Sequence, residues 1–115
     1  MKRYRLNQLP DNREGHILSG LIPGKYIYQG IMSYKAPGFR THAEGNHRHS
    51  DEEVFIIMQG KATMEVDGKV YPMVTGDVFV IEPGEEHYLT ADEEDPCINI
   101  WFHAGPNRHP DQLKK

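Results

Sequence analysis

An all-β fold, a barrel or sandwich in a single domain, is what three features of this 115-residue sequence predict. Apolar residues come in short runs with no sustained helical period, Gly, Pro and Asp punctuate those runs, and Asp67-Gly68 sits between two strand-like segments. An Asp-Gly pair flanked in this way is the strongest short-range hairpin signal.

The elements follow in order. Residues 1–25 are polar and turn-rich and read as an arm wrapping the barrel. Lys25 to Tyr34 reads as the first clear strand, ended by Ala36-Pro37-Gly38, and a polar loop leads to the strand Val54 to Gln59, stopped at Gly60. Thr63 to Val66 and Lys69 to Tyr71 flank the Asp67-Gly68 turn. Asp77 to Ile81, His87 to Thr90 and Ile98 to His103 complete the sheet. Pro83-Gly84 reverses the chain before His87, since Pro fixes φ at the first turn position and Gly accepts positive φ at the next. Residues 26–104 thus form the barrel, and residues 105–115 read as a loosely held tail.

Composition excludes several classes. Seventeen acidic residues against 13 basic give a net charge of −4, with no basic footprint for nucleic acid. The basic start (Lys2, Arg3, Arg5) and the acidic run Asp92 to Asp95 read as solvated segments. Cys97 is the one cysteine, so no intrachain disulfide forms, and it reads as a small buried residue rather than a nucleophile. The first residues lack an apolar leader, and the longest apolar run, Val54 to Met58, is too short to span a bilayer. A cytoplasmic location is the expectation by elimination.

The chemistry concentrates in His47, His49, Glu53 and His87. Histidines at i and i+2 share one face of a strand, whereas on a helix they would point apart. Neutral imidazole is the commonest metal ligand, and a nearby carboxylate adds charge neutralisation. His47, His49 and Glu53 form a chelate wanting a fourth donor, which His87 can supply after the Pro-Gly turn.

This arrangement resembles the cupin superfamily. His47, His49, Glu53 and Gly60 match its first motif at the expected spacings, with Thr41 where that motif opens on Gly. Gly76, Gly84 and His87 match the second, with Glu82 at its Pro position, Pro83 one place later, and Ala91 in place of its terminal Asn. The resemblance spans residues 41–91 and implies a jelly-roll-like cupin β-barrel with His47, His49, Glu53 and His87 as ligands of one divalent metal. Glu52 is an alternative to Glu53 that the family spacing disfavours.

Four such ligands on an octahedral ion leave about two positions open, unlike a closed structural site. Iron or manganese is the first choice, and zinc, nickel, cobalt and copper also suit the donors. Open neighbouring positions suit a small oxygen-rich substrate: an enediol, a hydroxy-ketone or an α-hydroxy acid. The expected function is therefore a dioxygenase, or an isomerase or ring-opening enzyme of a sugar acid. A metabolite- or sugar-binding module without turnover is the alternative. Tyr34, Arg40, His42 and His103 are the candidate acid–base or orienting groups, with Arg40 able to clamp a carboxylate. Trp101 and Phe102 read as packing. If Glu53 points inward, parity sends Phe55 and Ile57 inward and Val54, Ile56 and Met58 outward. Those outward residues need cover, from the N-terminal arm or from a second copy in a homodimer, the favoured reading.

Overall fold

The computed structural model describes residues 1–8, 26–41 and 52–105, with backbone alone for 26–29 and 104–105. His42, His47 and His49 lie outside the described residues, as do the rest of the expected arm and residues 106–115 of the expected tail.

Eight strands are described: β1 (Lys2–Arg5), β2 (Tyr26–Lys35), β3 (Glu52–Gln59), β4 (Lys61–Val66), β5 (Lys69–Val74), β6 (Asp77–Ile81), β7 (His87–Ala91) and β8 (Cys97–Gly105). They form two antiparallel sheets, in the orders β1-β6-β3-β8-β2 and β5-β4-β7. One 3-10 turn, Leu6–Gln8, is the helical element among the described residues, and none of their helices is long and apolar enough to cross a membrane.

The expected turns have the backbone they need. Asp67 and Gly68 have φ of 48° and 83°, the double positive φ of a hairpin turn whose twist matches its strands. Gly84 has φ 84° behind Pro83, and the amide of Glu85 donates to the carbonyl of Glu82 at 3.2 Å. That closes a four-residue turn in which Gly alone is unstrained at the third position. Gly60, with φ 80°, is the tightest point: a Cβ there would lie 2.1 Å from the carbonyl oxygen of Pro96.

Strand parity sorts the apolar residues into two layers. Phe55, Ile57, Phe79, Ile81 and Cys97 meet Met64, Met73 and Leu89 in the core between the sheets. Full burial of each such side chain stabilises by about 1.5–3 kcal/mol. Val54, Ile56, Val78, Val80 and Phe102 form a second cluster on the outer face of the larger sheet. Hence β3 is buried on both faces, as its unbroken apolar run suggests.

Cover for that outer cluster includes Tyr4 and Leu6 from the chain's own beginning, so this part of the arm packs where cover was expected. The arm also begins with a strand, which the sequence reading missed. β1 pairs with β6, and the basic start is held: Arg5 Nη1 donates to Asp77 Oδ1 at 2.6 Å, and the Arg3 guanidinium lies 5.0 Å from the centroid of Tyr71. Four residues, three of them charged, are too few to register as a strand until a partner edge is supplied. Met32, Tyr34 and Met58 remain exposed. Thr41 has a structural task at its motif position: its amide donates to the carbonyl of Leu89, and its Oγ1 accepts the amide of Leu89, both at 2.9 Å. The Gly38 amide also donates to the Ala91 carbonyl, and the Ala91 amide donates to the Phe39 carbonyl, which covers the outer edge of β7.

Candidate metal centre

Glu53 reaches the interior because it lies two residues before Phe55 on β3, on the same side of the pleat. Glu52 has the opposite parity, so Glu53 is the carboxylate that turns inward. His103 is its directly paired neighbour on β8. His87 comes from the other sheet, where it opens β7 opposite Val66. The Pro83-Gly84 turn delivers it there, and two interactions of Glu85 shape that turn. The Glu85 Oε1 accepts the amide of Glu82 at 2.7 Å, while its Oε2 accepts from the amino group of Met1 at 2.8 Å.

These three side chains converge in a nearly dry place. Glu53, His87 and His103 are 4%, 1% and 5% exposed. His87 Nε2 lies 2.7 Å from Glu53 Oε1, and His103 Nε2 lies 3.8 Å from Glu53 Oε2. Aromatic edges fix both rings: Phe55 against His87 and Trp101 against His103, each with centroids 5.8 Å apart.

The polarity of the contact is informative. His87 Nδ1 lies 3.0 Å from the backbone oxygen of Glu85, which only accepts, so Nδ1 carries a proton. In the neutral ring Nε2 would then set a lone pair against a carboxylate oxygen, so a proton must occupy that contact. Burial, the largest single influence on His87, works against its charge. Hydrogen bonds to Glu53 and to the Glu85 backbone, with the attraction of both carboxylates, outweigh burial and raise its pKa above 6.5. Two donors aimed at one proton suit a metal ion in its place, with Nδ1–H held by a carbonyl as in many metal-bound histidines. Among the described residues no group of three or more His, Cys, Asp or Glu is arranged to hold a metal. Two of the four expected ligands, His47 and His49, lie outside them.

The structure brings His103 to this centre and leaves Tyr34 and Arg40 away from it. Tyr34 pairs with Ile98 on the outer face of the larger sheet and is 61% exposed. Arg40 pairs with Thr90, and its guanidinium sits 4.1 Å from the centroid of Tyr88. Tyr88 and Thr90 alternate with the buried His87 and Leu89, so Arg40 lies on the far side of β7 from the interior. Strand-end position could not tell these faces apart before registers were known. His42, the fourth candidate, is outside the described residues. Trp101 and Phe102 pack as expected, one against the core and the other in the outer cluster.

One buried polar group went unnoticed in the sequence. Asn99, 0% exposed, accepts at Oδ1 from the hydroxyl of Ser33 at 3.3 Å, and Lys35 in turn donates to Ser33. Its period-2 alignment with Cys97 and Trp101 was the available signal.

A family model described as a cupin domain (Cupin_2) matches residues 36–103. L-ectoine synthase of Halomonas elongata is 33% identical over 55 residues, which are 47% of this chain and 39% of that protein. The chain thus spans about two-fifths of that relative. A Cupin 2 conserved barrel domain protein from Salinispora arenicola superposes with a TM-score of 0.61 at 21% identity, over 90% of this chain and 75% of its own. Salicylate 1,2-dioxygenase from Pseudoaminobacter salicylatoxidans superposes with a TM-score of 0.57 at 18% identity, over 67% of this chain and 20% of its own. At these identities the structural likenesses establish the fold.

Proposed function

The chain belongs to the Cupin_2 family of cupin domains, and from that premise we propose that it binds one divalent transition metal and is an enzyme acting on a small oxygen-rich metabolite. The observation that carries this reading is the buried contact of His87 Nε2 with Glu53 Oε1 at 2.7 Å, two lone-pair donors converging from different sheets. His47 and His49 would complete the ligand set, with iron or manganese as first choice. When bound, the ion supplies Lewis acidity toward the oxygens of an enediol, hydroxy-ketone or α-hydroxy acid, or a site where such a substrate meets O₂.

The chain's own residues define the rest. Glu53 offsets the charge of the site, and the carbonyl of Glu85 sets the ring orientation of His87. His103, 3.8 Å from Glu53 and edge-on to Trp101, is the group placed to exchange a proton with a substrate oxygen. The buried surroundings strengthen these interactions and keep bulk water away.

Two chemistries fit, a dioxygenase and an isomerase or ring-opening enzyme of a sugar acid. The name of the salicylate dioxygenase favours testing the first. Elemental analysis of the purified protein comes first, with His47→Ala/His87→Ala as the control that should hold no stoichiometric ion. An oxygen electrode and NMR of a panel of catechols, hydroxy acids and sugar acids then divide the readings. Oxygen uptake supports dioxygenation; a silent electrode with product by NMR supports isomerisation. Binding without turnover leaves the metabolite-binding module. One ion per chain in the double variant would refute the ligand set.

A further inference from the structure

We propose that a second site, on the open seam where β1 and β6 face β5, binds a small organic carboxylate with a flat apolar body. A cavity of about 310 Å³ opens there, lined by Arg3, Tyr4, Arg5, Gln8, Pro72, Asp77 and Phe79. That volume is within the range of small-molecule sites, roughly 300–1,000 Å³.

The two arginines have different states. Arg5 is neutralised: its Nη1 donates to Asp77 Oδ1 at 2.6 Å, and Asp77 Oδ2 accepts the amide of Val74 at 2.7 Å, so that carboxylate is held on both oxygens. Arg3 has no carboxylate partner among the described residues. Its guanidinium is exposed and lies 5.0 Å from the centroid of Tyr71, a stacking that orients the planar fork without neutralising it. Among the described residues the cavity therefore carries one uncompensated positive charge, in a chain of net charge −4.

One fork and one net charge match a carboxylate, which accepts two parallel N–H bonds from a guanidinium. A phosphate dianion would leave excess charge. Phe79 and Pro72 supply apolar walls for the body of the ligand, and Gln8 adds a neutral polar group. The site is separate from the metal centre. Asp77 pairs with Arg5 at one end of β6, and Ile81 pairs with Glu53 at the other, roughly 13 Å away at the strand rise of about 3.3 Å per residue.

The test is calorimetric titration of the whole chain with benzoate, acetate and inorganic phosphate at neutral pH, with amide NMR shifts to locate binding. Benzoate should bind, with shifts centred on Arg3, Tyr71 and Phe79, and at least about tenfold tighter than acetate or phosphate. Arg3→Gln, an exposed position, should weaken benzoate about tenfold or more, the scale of one lost charge-assisted contact, and leave metal content unchanged. Equal benzoate binding in Arg3→Gln would overturn the site. No benzoate binding at millimolar concentration would do the same, and phosphate binding as tightly as benzoate would overturn the assignment of an organic carboxylate.

Discussion

Replacing Glu53 by Gln separates a metal ligand from a structural ion pair. The substitution keeps shape and removes charge at a side chain that is 4% exposed and 2.7 Å from His87 Nε2. In metal-free protein the loss is one buried charge-assisted hydrogen bond, about 1.5–3 kcal/mol. The low end applies, because a buried histidine without a counter-ion sheds its proton rather than remain charged. For a domain of this size that lowers Tm by about 5–12 °C. The metal-bound protein behaves differently. An ion present at 100 times its Kd stabilises the wild type by about 2.7 kcal/mol. If losing a direct ligand weakens binding at least about 100-fold, above the 10–100-fold typical of outer partners, the same concentration gives the variant only about 0.4 kcal/mol. Calorimetry with and without added Mn(II), alongside elemental analysis, reads both effects. A variant that keeps one ion per chain and an undiminished Tm rise would refute ligation by Glu53. The raised pKa of His87 sets the pH dependence: the ion must displace a proton, so affinity rises with pH and falls as pH drops through the range above 6.5. Affinity flat across that range would count against His87 as a ligand.

Three further outcomes are expected. Gly60→Ala should cost more than about 3 kcal/mol, since its Cβ would meet the Pro96 oxygen at 2.1 Å, whereas Gly68→Ala, with nothing within 4 Å, should cost only the left-handed strain of about 1–2 kcal/mol; similar chemical denaturation midpoints for the two would contradict this. Cys97, whose thiol pKa is raised above 9.0 chiefly by burial, should resist a thiol reagent until the chain unfolds. Because the unfolded thiol ionises first, its stabilising contribution is complete below about pH 9 and is lost as pH rises further; prompt labelling of native protein at neutral pH would show the burial to be wrong. Light scattering should show a homodimer that Met32→Glu or Met58→Glu weakens, as both side chains lie exposed, at 61% and 43%; a monomer at high concentration would remove the dimer expectation.

The sequence by itself determined what period-2 alternation and turn chemistry can carry. Asp67-Gly68 and Pro83-Gly84 specify their reversals because only certain residues accept positive φ without strain. Alternation along Glu53 to Ile57 sorted the faces of β3 correctly, and the spacing of Gly76, Gly84 and His87 pointed to the strand that carries His87. These are local properties, written within a few residues. Where two sheets approach each other is not local. Only the tertiary structure brought His103 to Glu53, turned Arg40 over Tyr88 away from the interior, and made a strand of Lys2–Arg5 by lending it the edge of β6. A side chain's face can be read from its neighbours in sequence, but its partner depends on registers summed over the whole sheet.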